Sequence, residues 1–116
     1  MQFEKYNLDQ GNIMIAFSDE NLSVGTLEIN PKQELDKHNR PVPESLYQLR
    51  GKCVMKIFEE DGSEKEVVLS EGESLDIPPL TQHIHTNPFD DISLTFWKAS
   101  GDIRDIIESI RNNSKM

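Results

Sequence analysis

The sequence has little cysteine and no long apolar run, and each shortage excludes a class of protein. Only one of the 116 residues is a cysteine, Cys53, so the disulfide framework of small secreted domains is excluded. The longest apolar run, residues 13–17, is far shorter than the roughly 20 residues that span a bilayer. The first residues also lack the basic and apolar segments of a signal peptide. These absences predict a cytoplasmic protein without a membrane span.

Basic residues are scarce relative to acidic ones, which narrows the class of partner. The chain has 12 Lys and Arg residues against 21 Asp and Glu residues, a formal net charge of −9. An acidic surface repels phosphate backbones and anionic lipid headgroups, so we expect no nucleic acid or membrane partner. A small molecule is the expected partner.

Strand-forming segments recur along the chain with a turn signal after each, a spacing typical of an all-β sandwich or barrel. The dipeptide Asp61-Gly62 between two of them predicts a tight hairpin. The predicted strands are residues 12–18, 22–29, 44–50, 53–58, 64–69, 74–77, 82–87 and 92–98.

A helix is predicted only near the C-terminus. Four isoleucines, Ile103, Ile106, Ile107 and Ile110, follow the spacing of one apolar helical face. Ser100 or Asp102 is available as N-cap. We therefore predict one domain over residues 1–116, with a barrel over about 12–98 and a helix over about 102–112 that packs across the outside of a sheet.

Residues 72–87, GESLDIPPLTQHIHTN, match the spacing of a family motif. Gly72, Pro78, His83 and Asn87 fall in the register of the second cupin motif, which this segment resembles. Leu80 departs from it, because the family usually has Gly there.

The segment HNRPVPESLYQLRG resembles the first cupin motif in part. His38, Glu44 and Gly51 match, whereas Lys32 replaces the leading Gly and Arg40 replaces the second His. The resemblance is to a small, type-2-like cupin. It implies an antiparallel double-stranded β-helix, the cupin jelly-roll barrel, with a short C-terminal helix, and it implies a homodimer.

His38, Glu44 and His83 are the predicted metal ligands. Imidazole nitrogens and a carboxylate suit a divalent Fe, Mn, Ni, Cu or Zn ion. Three protein ligands leave open positions on the metal, as a catalytic site requires. The resemblance usually brings three His and one Glu, so Arg40 removes one expected ligand.

Two further residues are candidates for a catalytic role. His85 shares a strand face with His83, so it can serve as a fourth ligand, as a general acid/base, or as a residue that orients a ligand. By the same alternation Gln48 shares a face with Glu44 and is a candidate for lining the pocket. Arg40 offers a guanidinium that binds an anionic substrate, or else it forms an ion pair with Glu44.

Two functions remain open at this stage. The first is a metal-dependent enzyme acting on a small polar or anionic molecule, and the resemblance permits a dioxygenase or a sugar isomerase or epimerase. In it, His85 and Arg40 position or protonate the substrate. The second is a non-catalytic module that binds or senses a small ligand without metal. A purely structural barrel is a third, weaker interpretation.

Overall fold

The computed structural model describes residues 3–113, which form ten β-strands and one α-helix. In chain order the elements are β1 Glu4–Leu8, β2 Gly11–Ser18, β3 Ser23–Ile29, β4 Gln33–Glu34, β5 Glu44–Arg50, β6 Cys53–Phe58, β7 Glu64–Leu69, β8 Ser74–Ile77, β9 Gln82–Asn87, β10 Ser93–Ala99 and α1 Arg104–Asn113.

The strands form two antiparallel sheets. One has the order β1-β2-β3-β10-β5-β8, and the other has the order β4-β9-β6-β7. Strands distant in sequence are neighbours, since β10 lies between β3 and β5 and β9 lies between β4 and β6. The buried side chains of both sheets belong to one core, which confirms the predicted antiparallel jelly-roll barrel.

The strand bounds follow the alternation of buried and exposed side chains. β3 alternates strictly, with Ser23, Gly25, Leu27 and Ile29 facing inward. The ranges predicted for β5, β6, β7, β8 and β9 are the observed ones, and those for β2, β3 and β10 are shifted by about one residue. β1 and the two-residue β4 were not predicted.

The hairpin between β6 and β7 turns where the sequence predicts. Gly62 has φ of +88°, a conformation that glycine adopts without a steric penalty. Its N–H donates to the Glu59 carbonyl at 3.0 Å, and the Glu59 N–H donates to the Ser63 carbonyl at 2.8 Å. The acidic residues of this hairpin are exposed.

Helix α1 packs against the core through its isoleucine face. Ile103 and Ile107 are buried, and Ile106 and Ile110 are half-buried against them. The Asp102 carboxylate accepts from the Arg104 backbone N–H at 3.1 Å at the start of the helix. Among residues 3–113, no helix is long and apolar enough to cross a membrane.

Candidate metal centre

Two histidines from different parts of the chain are placed side by side by the backbone. The segment after β4 runs antiparallel to β9, and it ends in an isolated bridge between His38 and His83. The His38 N–H donates to the His83 carbonyl at 3.0 Å, and the His83 N–H donates to the His38 carbonyl at 2.8 Å. As a result the two ring centroids are 4.3 Å apart.

Both rings are oriented by a backbone carbonyl. His38 Nδ1 lies 2.9 Å from the Asp36 carbonyl oxygen, and His83 Nδ1 lies 2.8 Å from the Thr81 carbonyl oxygen. A carbonyl can only accept, so each Nδ1 carries the proton and each Nε2 keeps its lone pair. A histidine that donates one ring N–H to a carbonyl and offers the other nitrogen is the usual form of a metal ligand.

His85 brings a third imidazole to the same place. It lies two residues beyond His83 on β9, and the strand buries both side chains. Its ring centroid is 5.2 Å from that of His38 and 5.3 Å from that of His83. One potential ligand atom from each of the three histidines lies within 4.8 Å of the other two.

Glu44 adds a buried carboxylate at the start of β5. Its Oε1 lies 3.8 Å from His83 Nε2. Both of these atoms are buried without a hydrogen-bond partner, and so is His85 Nδ1. An unpaired buried acceptor is costly, and a bound cation would satisfy Glu44 Oε1 and His83 Nε2. The donor set therefore fits a divalent metal.

Burial shifts the protonation of the whole cluster. Burial lowers the pKa of His38 to about 4, with a further contribution from the positive charge of Arg40. Burial also lowers the pKa of His83 and, more strongly, that of His85. These imidazoles stay neutral at neutral pH, which is the form that binds metal. Burial raises the pKa of Glu44, and the nearby Arg40 opposes this rise.

Arg40 lies beside this cluster of histidines and Glu44. The side chain is half-buried, and its Nη1 donates to the Asn39 carbonyl at 3.1 Å. The ion pairs within 4.0 Å that the structure records for residues 3–113 do not include one between Arg40 and Glu44. Burial lowers the pKa of Arg40, and Glu44 raises it. The guanidinium remains available to an anion.

A cavity of about 240 Å³ opens from these residues into the barrel. Ten apolar side chains line it together with the polar residues Asp36, His38, Arg40, Glu44, His85 and Thr95. Helix α1 contributes three isoleucines to this lining and Ile103 precedes it there, so the expectation that the helix packs across the outside of a sheet was wrong. The isoleucine periodicity predicted the helix but carried no signal for the surface it covers.

Gln48 and Asn87 are buried but have other partners. The Gln48 amide donates to Ser93 Oγ at 3.0 Å and accepts from Thr95 Oγ1 at 2.7 Å. Gln48 is not among the described residues that line the cavity. Asn87 Nδ2 donates to the carbonyls of Ile29, Asn30 and Asp91. The motif asparagine therefore holds loops together.

Comparison with known sequences gives a family match over most of the chain. The family model described as 3-hydroxyanthranilic acid dioxygenase matches residues 11–106. The chain is 40% identical over 58 residues to 3-hydroxyanthranilate 3,4-dioxygenase of Shewanella woodyi, covering 50% of this chain and 30% of that protein. It is 38% identical over 79 residues to the same enzyme of Jannaschia sp., covering 67% of this chain and 42% of that protein. The chain thus spans less than half the length of these relatives.

Solved structures with the same fold include oxalate-metabolising proteins. A tryptophan-to-phenylalanine variant of B. subtilis oxalate decarboxylase superposes with a TM-score of 0.80 at 15% identity, covering 88% of this chain and 28% of that chain. Lactobacillus farciminis oxalate decarboxylase, in a formate complex, gives 0.77 at 18% identity, covering 87% and 32%. At this identity the likeness shows the fold alone.

Proposed function

The chain belongs to the 3-hydroxyanthranilic acid dioxygenase family of the cupin superfamily, and we propose that it is a metal-dependent dioxygenase acting on a small anionic molecule. The observation that supports this most is a pair of buried, unpartnered acceptors, one of them on Glu44, which lines the cavity. His83 Nε2 and Glu44 Oε1 lie 3.8 Å apart with no hydrogen-bond partner. The family match favours a dioxygenase over the sugar isomerase that the sequence also permitted.

In this proposal His38 and His83 bind the metal through Nε2, and Glu44 supplies the carboxylate. Two histidines and one carboxylate with open positions are typical of non-haem Fe(II) oxygenases, so we propose iron. When bound there, such a metal would supply Lewis-acid and redox chemistry. The protein's own contribution is a set of neutral imidazoles, held in one tautomer by the Asp36 and Thr81 carbonyls.

Arg40 and His85 are assigned to the substrate. The planar guanidinium of Arg40 binds a carboxylate through two parallel hydrogen bonds. His85 lines the cavity, and its unpartnered Nδ1 provides a group that orients the substrate or exchanges a proton with it. This assignment predicts that His85→Ala keeps its metal and loses turnover. If His85→Ala instead lost its metal, His85 would be a metal ligand.

Metal analysis tests the proposal. We expect wild-type protein loaded with Fe(II) and then desalted to retain close to one metal ion per chain, and His83→Ala to retain almost none. Gln82→Ala is the matched control, because Gln82 is the exposed neighbour of His83 on β9. Equal metal content in wild type and His83→Ala would overturn the proposal.

A second candidate is a non-catalytic module that binds a small anion without metal. It is favoured by Arg40, which stands where the cupin motif has a histidine. The module predicts that chelator-treated protein binds carboxylates as tightly as Fe(II)-loaded protein. The dioxygenase predicts metal-dependent binding and substrate-dependent consumption of dioxygen.

We also propose a cytoplasmic homodimer. Tyr47 and Leu49 on β5 are each 45% exposed, an apolar pair suited to a contact between copies. The one cysteine is a buried free thiol, which fits a reducing compartment. Sedimentation should give a dimer for wild type and a monomer for Leu49→Asp, and a monomeric wild type would end this part of the proposal.

A further inference from the structure

The cavity beside the candidate metal centre has two chemically different parts. One part carries Asp36, His38, Arg40, Glu44 and His85, which offer one cation, two carboxyl groups and ring nitrogens. The remaining lining is largely hydrocarbon and includes Leu8, Leu27, Leu35, Ile106, Ile107 and Ile110. A ligand that fills such a cavity has its polar groups at one end and an apolar body at the other.

Part of the apolar wall comes from segments outside the family match. That match covers residues 11–106, so Leu8 of β1 and Ile107 and Ile110 of α1 lie beyond it. The residues of the candidate metal centre all lie within it. Three of the ten apolar lining residues thus lie outside the match, and the other seven, with Ile106 among them, lie within it.

Helix α1 is fixed in this position by contacts at both of its faces. Ile103 and Ile107 are buried in the core. Arg111 binds Glu4 of β1 through two hydrogen bonds of 2.7 Å, which ties the two wall-forming elements together. The half-buried Ile106 and Ile110 line the cavity from a helix held in place.

We propose that the site selects a monocarboxylate with a hydrocarbon body, and that Ile106 and Ile110 determine how long that body can be. This inference rests on the proposed function, because it names the substrate class of the same site. Arg40 binds the carboxylate. The hydrocarbon part of the ligand is transferred from water to a contact with the isoleucines of α1. A small dicarboxylate is a poor ligand, because its second charge would lie against hydrocarbon without a partner.

The first experiment measures binding of a homologous series. Trp97 lines the cavity and is the only tryptophan of the chain, so its fluorescence reports occupancy. Chelator-treated and Fe(II)-loaded protein are titrated with butyrate, hexanoate, octanoate and oxalate. We expect affinity to rise roughly fourfold per added methylene until the cavity is full, and oxalate to bind more weakly than hexanoate. Affinity independent of chain length would overturn the proposal.

The second experiment changes the wall. Ile110→Phe should shorten the longest chain that still gains affinity, and Ile110→Ala should lengthen it. Arg40→Gln should weaken every carboxylate by a similar factor. Ile84→Phe is the control, since Ile84 is a half-buried isoleucine of β9 outside the cavity. Thermal melts verify that each variant folds.

The outcomes separate this inference from the proposed function. An unchanged length limit in both Ile110 variants, or the same change in Ile84→Phe, would overturn the inference even if the wild type binds metal. A length-dependent series that Ile110 shifts supports the inference even if His83→Ala and wild type hold equal metal, a result that would overturn only the proposed function.

Discussion

The chemistry of the candidate centre arises at single histidines, because burial and one carbonyl contact decide which form each ring takes. His38 and His83 both donate from Nδ1 to a carbonyl two residues earlier in the chain. The contact leaves Nε2 free and fixes the direction of its lone pair. The ligand geometry is thus built into the local backbone before any metal binds.

The lowered pKa of His38 predicts a pH-dependent stability of the metal-free protein. The pKa of His38 is 6.5 in the unfolded chain and about 4 in the folded protein, so the unfolded chain binds the proton more readily. The contribution of His38 to the free energy of unfolding is therefore fully present above about pH 6.5 and is lost as the pH drops towards 4. Between about pH 7.5 and pH 5 the loss from His38 alone is on the order of 2 kcal/mol. Glu44, whose pKa is raised, works in the opposite direction.

Urea unfolding in the presence of a chelator measures this effect. We expect wild type to lose on the order of 2 kcal/mol more than His38→Gln over the same pH interval. An identical pH dependence of the two proteins would show that His38 is not desolvated in the native state.

Asn87 is a residue whose role is structural although it belongs to the motif. Its side chain donates to three carbonyls, and its Oδ1 accepts from the Phe89 N–H at 3.2 Å. Asn87→Ala leaves these buried groups unpaired, so we expect a loss of about 2–3 kcal/mol in the free energy of unfolding. Metal content should not change.

The exposed Asn21 supplies the control for this prediction, since Asn21→Ala should change stability by less than about 0.5 kcal/mol. Loss of metal from Asn87→Ala while its melting temperature is unchanged would contradict the structural role.

At the scale of single residues, the sequence was informative about the polar end of the site. The motif spacing indicated His38, Glu44 and His83, and strand alternation indicated that His85 faces the same way as His83. It could not indicate the carbonyls that orient the rings, because these contacts depend on the path of the backbone at Asp36 and Thr81. Trp97 was likewise not identified as a cavity residue.

Among the elements, helix α1 shows the limit of a periodic pattern. Four isoleucines predict an apolar face, and the structure places that face over the cavity. Which surface a helix covers depends on the fold of the preceding chain. β1 was missed because its sequence EKYNL has no clear alternation of apolar residues, and β4 was missed because it has only two residues.

The tie between α1 and β1 predicts a local change in stability. Arg111→Gln removes the two hydrogen bonds to Glu4, whose pKa this guanidinium lowers to about 2. The pair is about one-third exposed on each side, so we expect a global loss of no more than about 1 kcal/mol. Hydrogen exchange should accelerate in α1 and β1 and stay unchanged in β6 and β9.

Arg104→Gln is the matched control, because Arg104 pairs with Asp102 beside the same helix rather than with β1. Faster hydrogen exchange in β1 of Arg104→Gln would argue against a stabilising contact between α1 and β1. Hydrogen exchange in Arg111→Gln that is as slow as in the wild type would argue against it too.

For the molecule as a whole, the net charge of −9 lies mostly outside the barrel. Among residues 3–113, Glu44 is the only buried carboxylate, and the acidic β6–β7 hairpin is exposed. An anionic substrate therefore meets a site whose polar end contains Arg40 and neutral imidazoles beside the carboxyl groups of Glu44 and Asp36. The whole-chain charge, taken alone, is a poor guide to the ligand.

The pairing of strands is also a property of the whole molecule. Local patterns predicted most strands, but β10 pairs with both β3 and β5, which lie far earlier in the chain. No local pattern specifies such partners, and the jelly roll was predicted because of the cupin resemblance. The bridge that joins His38 to His83 follows from this long-range pairing.

The most direct test of the central claim is anomalous diffraction from crystals of the Fe(II)-loaded protein. We expect one anomalous peak at about 2.0–2.2 Å from Nε2 of His38, Nε2 of His83 and a carboxylate oxygen of Glu44. The claim would be contradicted by crystals with no peak at these three residues and an Arg40 side chain paired with Glu44 in their place.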